Sequence, residues 1–179
     1  WWVGLAMLHT VFTLEHNAIC DRLQTEFKTW SDQQLFDRAR LINAALMAKI
    51  HTIEWTPAIV AHPTVEEAMN QNWERIRKSK ADHHAAPYSI TEEFVAVYRM
   101  HPLMPDDYTF RSFTTGNVVE ERGFSEVFAN NARGLMTRFS LADLFYSFGV
   151  MNPGAITLHN YPRFLQLLTR SDGPPIDLA

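Results

Sequence analysis

T-E-E-F-V-A-V-Y-R-M-H-P-L-M-P-D-D-Y-T-F, Thr91 to Phe110, is the stretch on which the reading of this chain turns. Ser89 and Glu92 have the spacing of a capping box, and the residues after them suit a helix. That helix is expected to stop near His101, because Pro102 disfavours helical geometry in the residue before it. Tyr98 and His101 then fall three apart on one face. At that spacing their Cβ atoms lie about 5–6 Å apart, close enough for a metal-bound imidazole and a redox-active phenol to serve one cofactor. By itself the pattern leaves another reading open. A lone His on a partly apolar helix is more often a satisfied core or surface residue than a ligand.

Working outward, Val3, Met7, Val11, Leu14 and Ala18 recur at helical spacing, so Trp2 to about Phe27 reads as one long helix with an apolar face. His9 and His16 lie on it seven apart, but no third ligand stands at metal-site spacing, so structural roles are expected for both. Ser31 with Gln34 is a capping box for a second helix running to about Trp55, its core stripe being Leu35, Ala39, Ile42, Leu46 and Ile50. Pro57 is expected to end or kink it. Thr64 with Glu67 is read as the cap of a third helix that closes in R-I-R-K-S-K, a solvated cationic end.

Ser79 to Tyr88, with the His83-His84 pair, reads as a loop. Pro102 and Pro105 keep the segment after His101 extended or turning, and Phe110 to Glu120 has the pattern of a short hairpin. Ser125 to Arg133 and Ser140 to Phe148 read as short helices, the second capped by Ser140 with Asp143 and closed by Gly149 at positive φ. Met151 to Pro162 is read as a loop and Tyr161 to Leu168 as a last short helix.

The 179 residues suit a single domain, mainly α with little or no β, large enough to bury a core without disulfides. Hydrophobic residues make up 46% and charged ones 20%, which is globular composition. A formal charge of -4 leaves no basic footprint, so nucleic acid is not an expected partner. The single Cys20 cannot form an intrachain disulfide and fits a reducing compartment or a buried thiol. No apolar run reaches the length of a membrane span, and membrane association stays open, with a cytoplasmic or peripheral location expected. The chain starts at Trp1-Trp2 inside a helical pattern and stops at Ala179 after D-G-P-P, from which a partial chain is expected.

Y-R-M-H-P-L-M-P-D resembles the proximal haem segment of the animal haem peroxidase and cyclooxygenase superfamily. L-H-T-V-F-T-L-E-H-N-A-I-C-D at Leu8 to Asp21, followed by W-S-D-Q-Q-L-F-D-R-A-R at Trp30 to Arg40, is similar to two further segments of the same superfamily, in the same order. Within it, K-I-H-T-I-E-W-T at Lys49 to Thr56 and N-Y-P at Asn160 to Pro162 most resemble the fatty-acid α-dioxygenases of plants and bacteria. The resemblance implies an incomplete helical haem peroxidase-like fold holding haem b. His101 is then the proximal iron ligand, Pro102, Leu103 and Met104 are walls of its pocket, and Tyr98 is the catalytic radical.

His51 and Thr56 are implied to lie near the substrate carboxylate or its channel, although five residues on a regular helix is a separation of about 140°, so convergence needs a break before Pro57 or a pocket that wraps the helix end. The implied partners are a fatty acid, dioxygen and a hydroperoxide. In the implied chemistry, a hydroperoxide-activated haem oxidises Tyr98, whose radical takes hydrogen from the carbon beside the carboxylate before dioxygen adds. The superfamily's distal His and its arginine-bearing C-terminal segment have no match here, so a weak or inactive isolated chain is expected. A peroxidase using small reductants, with Tyr98 only packing, and a haem-free helical scaffold are the alternatives.

Overall fold

The computed structural model describes residues 1–78, 92–93, 101–154, 162–168, 173–174 and 176–177. Helices dominate: α1 (Val3–Glu26), α2 (Asp32–Ile50), α3 (Thr56–Ile59), α4 (Pro63–Lys78), α5 (Asn130–Arg138), α6 (Leu141–Val150) and α7 (Arg163–Gln166). Two small antiparallel pairs accompany them, β1 (Asp107–Arg111) with β2 (Val118–Gly123), and β3 (Leu167–Leu168) with β4 (Ile176–Asp177). The chain divides into two compact units, one of residues 1–10 and 89–179, the other of residues 11–88.

The first unit is organised on β1. Its alternation sends Tyr108 and Phe110 inward, where both are fully buried among Val3, Met7, Val127, Ala132, Leu135, Phe139 and Leu144. Burying a ring of this size is worth about 1.5–3 kcal/mol. Trp2 and Phe148 lean on Tyr108 with ring centroids 5.8 and 6.1 Å away, and Phe139 stacks on Phe110 at 5.0 Å. Trp2 comes so close to Gly4 that a Cβ there would stand 2.4 Å from the indole. The N-terminal residues are also tied by backbone: the Val3 amide donates to the Val127 carbonyl at 2.9 Å and the Ala129 amide to that of Trp1 at 3.0 Å.

The hairpin expected at Phe110 to Glu120 is present with its strands set wider, from Asp107 to Gly123. Gly116, at φ +72°, makes the turn possible without a Cβ penalty. Glu120, almost buried, takes both Arg122 and Arg138, and Arg122 also reaches Glu126 at 2.8 Å. Ser147 joins the hairpin to α6, its hydroxyl accepting the Arg111 amide at 2.8 Å. The Ser140–Asp143 capping box opens α6 as read from sequence.

Three expectations for this unit are corrected. Gly149 does not close α6; the helix includes it and ends at Val150, with Met151 extended as the cap. The helix placed at Ser125 to Arg133 starts at Asn130, because Phe124–Glu126 is a 3₁₀ turn whose Val127 is drawn into the core. The last helix stops at Gln166, since Leu167 and Leu168 pair with Ile176 and Asp177.

α1 matches the expected helix, and α2, in the second unit, starts where expected and is α-helical to Ile50, with Ser31 and Gln34 making the reciprocal capping bonds. Their apolar stripes are buried only in part: Val3, Met7, Leu35 and Ala39 lie inside, whereas Leu14 is 54% and Ile42 46% exposed. On α2 the buried row is Leu35, Ala39 and Asn43, spaced by four, with Asn43 Nδ2 donating to the Phe12 carbonyl at 2.9 Å. An amide with a backbone acceptor thus takes the place assigned to Ile42. His9 packs edge-on to Trp1, and His16 lies against Phe36 with Cys20 Sγ 3.8 Å from its Nδ1. The box at Thr64 is corrected too. α4 begins at Pro63, the position where a missing N–H costs nothing, and the His62 carbonyl and Nδ1 accept the first free amides.

Two predictions follow from these contacts. The Tyr108 hydroxyl is buried and has no hydrogen-bond partner among the described residues, so Tyr108→Phe should leave unfolding stability unchanged or raise it by about 1 kcal/mol, whereas Phe110→Ala should lose about 3–5 kcal/mol, both read by urea denaturation. Asp143 titrates below the ordinary carboxylate value because the Ser140 hydroxyl (2.6 Å) and then the Phe113 amide (2.8 Å) donate to its charged form. Its contribution is therefore present above the unfolded carboxyl pKa and is lost as pH falls through the depressed folded one. The stability gap between wild type and Asp143→Asn should close on acidification through that range.

Candidate functional site

His101 opens a 3₁₀ turn, His101–Leu103, whose Met104 amide donates back to the His101 carbonyl at 3.0 Å. Its side chain is exposed, and Leu103 and Met104 beyond it are half-buried. The helix expected before it lies outside the described residues apart from Glu92 and Glu93, which are helical, and so does Tyr98. Of Pro102 only the backbone is described.

The turn is fastened at its exit. The Gly154 amide donates to the Leu103 carbonyl at 2.8 Å, and the Phe124 amide to the Asp106 carbonyl at 3.0 Å. The Asp106 carboxylate accepts the Arg163 amide at 2.7 Å and its Nε at 3.3 Å, while Arg163 Nη2 reaches Asp107 at 3.1 Å. Phe164 stacks on Phe124 with centroids 3.6 Å apart. Two residues after Asp106, burial, and then the Asp106 charge, push the Tyr108 phenol above its ordinary pKa. Tyr108 therefore stays neutral and serves as an anchor. Residues 56 and 57 positions apart meet here, a pairing that no local motif announced; its one sequence signal is that Arg163 directly follows N-Y-P.

The second cluster lies in the other unit. Between α2 and α3, His51–Trp55 is a π turn, and the helix passes through Pro57 to Ile59. This corrects the expectation that Pro57 ends the helix: the α-helical pattern breaks before it, and helix continues beyond it. In a regular helix the proline ring would press on the Ile53 carbonyl and offer it no N–H; widening the turn by one residue removes that conflict. The Thr56 amide now bonds to the His51 carbonyl five residues back, and the Thr56 hydroxyl donates to the same oxygen at 2.7 Å. An i to i+5 bond sets the two residues one above the other, so the 140° objection applies to an α-helix and not to this one. His51 is exposed, Thr56 half-buried, and the His51 ring stacks on Trp55 with centroids 5.1 Å apart and planes 19° from parallel. Trp55 was not singled out from sequence, although its position four after His51 was the available signal.

A porphyrin iron needs one nitrogen donor of fixed direction and apolar walls. The exposed His101, the half-buried Leu103 and Met104, and a backbone held at its exit fit that demand. Among the described residues no group of three or more His, Cys, Asp or Glu side chains could hold a metal ion, and a haem with one axial protein ligand requires no such group.

A helical chain with an exposed histidine followed by half-buried apolar side chains fits the haem peroxidase class of proteins, and comparison with known sequences makes the assignment. The pattern of the Animal haem peroxidase family matches residues 1–179, and the chain belongs to that family. It is 34% identical to alpha-dioxygenase PIOX of Pisum sativum over 93% of its own length and 30% of that protein's. To alpha-dioxygenase 2 of Arabidopsis thaliana it is 32% identical over 96% of its length and 32% of that protein's. A tyrosine-to-phenylalanine variant of Oryza sativa fatty acid alpha-dioxygenase, solved with palmitic acid, superposes with a TM-score of 0.86 at 30% identity, covering 99% of this chain and 35% of that one. The chain thus spans about a third of the length of these relatives.

The exit clamp has a measurable consequence. Asp106→Ala should speed hydrogen exchange of the Met104 and Phe124 amides selectively while moving global stability by less than about 1 kcal/mol, as for other largely exposed ion pairs.

Proposed function

We propose that this chain is the proximal part of the catalytic domain of a fatty-acid α-dioxygenase, with its two units belonging to that one domain. The observation that carries the reading is the π turn, because it lifts the geometric objection to His51 and Thr56 acting together beside N-terminal and proximal motifs of the same family. Palmitic acid in a related rice structure supports a long-chain acid as the substrate class.

In this reading His101 ligates the iron of haem b, with Pro102, Leu103 and Met104 walling the proximal side. When bound and activated by a hydroperoxide, the haem supplies the one-electron oxidant. Tyr98, three residues before the ligand in the sequence, gives up an electron and its phenolic proton. The phenoxyl oxygen takes a hydrogen atom from the carbon beside the carboxylate and becomes a phenol again. Dioxygen adds to the carbon radical, and the peroxyl radical recovers a hydrogen atom from Tyr98, giving a 2-hydroperoxy acid. His51 donates an N–H to the substrate carboxylate. The Thr56 hydroxyl proton is committed to the His51 carbonyl, so Thr56 joins the carboxylate only by turning that hydroxyl outward. Among the described residues no helix is long and apolar enough to cross a membrane.

In the haem-loaded protein, Tyr98→Phe should abolish oxygen uptake with palmitate while hydroperoxide-dependent oxidation of a small phenol persists within about threefold, a change of less than 1 kcal/mol in the barrier. Loss of both, or of neither, would remove Tyr98 from the radical step. His101→Ala should lose the axial-histidine absorption spectrum.

A further inference from the structure

His51 is exposed, and an exposed imidazole ordinarily samples several rotamers, a freedom that binding must then remove. Here one face of the ring is already taken. Trp55 lies four residues on, a residue 37% exposed whose indole stacks on the imidazole at 5.1 Å and 19°. The π turn makes both neighbours of the histidine possible at once. Residue 55 supplies a face for its ring, and residue 56 fastens its carbonyl twice, through amide and hydroxyl. With a face covered and the backbone pinned, the ring can meet a ligand only at its open face or along its edge, and its N–H groups lie in that edge.

We propose that Trp55 is a positioning residue for carboxylate recognition: it holds the His51 ring so that an N–H edge is presented to the acid head group of the substrate. The proposal rests on the reading of His51 as the carboxylate donor. The indole touches the histidine and not the acid, so it tunes the affinity for the charged head group and leaves the contribution of the alkyl chain alone. Preorganisation of this kind lowers the ordering cost of binding without adding a contact to the ligand.

The test is equilibrium titration of the haem-loaded protein with palmitate and with methyl palmitate. Trp55→Ala should weaken palmitate about tenfold, equivalent to 1.4 kcal/mol, and leave the ester within about twofold; Trp55→Phe, which keeps an aromatic face, should recover most of the loss. Equal weakening of acid and ester would make Trp55 a packing residue and overturn the proposal, as would unchanged palmitate affinity. A second measurement needs no variant. In the wild-type protein the His51 ring protons should show the upfield NMR shift of a ring lying on an indole, and ordinary shifts would overturn the stacking itself. His51→Ala separates the two levels: if it leaves palmitate affinity unchanged, the carboxylate reading fails, whereas loss in His51→Ala with none in Trp55→Ala fails only the positioning role.

Discussion

Two rings on one short strand carry the weight of the first unit. His101 is exposed, and β1 follows it within six residues. Tyr108 and Phe110 are driven inward by the alternation of that strand and are wholly buried. Their burial anchors the strand, and the strand anchors the turn at His101. The bonds of Asp106 to Phe124 and Arg163, and of Leu103 to Gly154, then fix what lies between. The tyrosine hydroxyl has no partner among the described residues, so its place in the core rests on the packing of its ring.

The second unit rests on a proline that a regular helix could not hold. The chain accommodates Pro57 by adding a residue to one turn, and the helix continues. That local remedy has a wider consequence, since it regroups the side chains around it. His51, Trp55 and Thr56 become one cluster, where α-helical geometry would have set the first and last well apart. Widened turns of this kind are uncommon, and they gather at functional places because only there does their cost bring a return.

Local chemistry was legible in the chain as written. The capping boxes at Ser31 and Ser140 were readable because each is completed within four residues. The hairpin after His101 and the family membership were readable as well, the latter because its motifs are short and recur in order. Burial was harder to read. Periodicity put Leu14 and Ile42 inside, and both are largely exposed, because a period says that a helix has a face without saying what that face meets. Asn43 went inward instead, once the Phe12 carbonyl was there to receive its amide.

The sequence by itself determined that the chain is helical, that a histidine stands directly before P-L-M-P, and which family it joins. These depend on interactions between residues a few positions apart, which a pattern can carry. Only the tertiary structure decided that Arg163 closes on Asp106 across 57 positions, and that the helix widens at His51 instead of ending at Pro57. The first is a contact between distant residues, and no local spacing encodes it. The second is a choice between two ways of relieving one clash, and it is made by the energies of the surrounding turns.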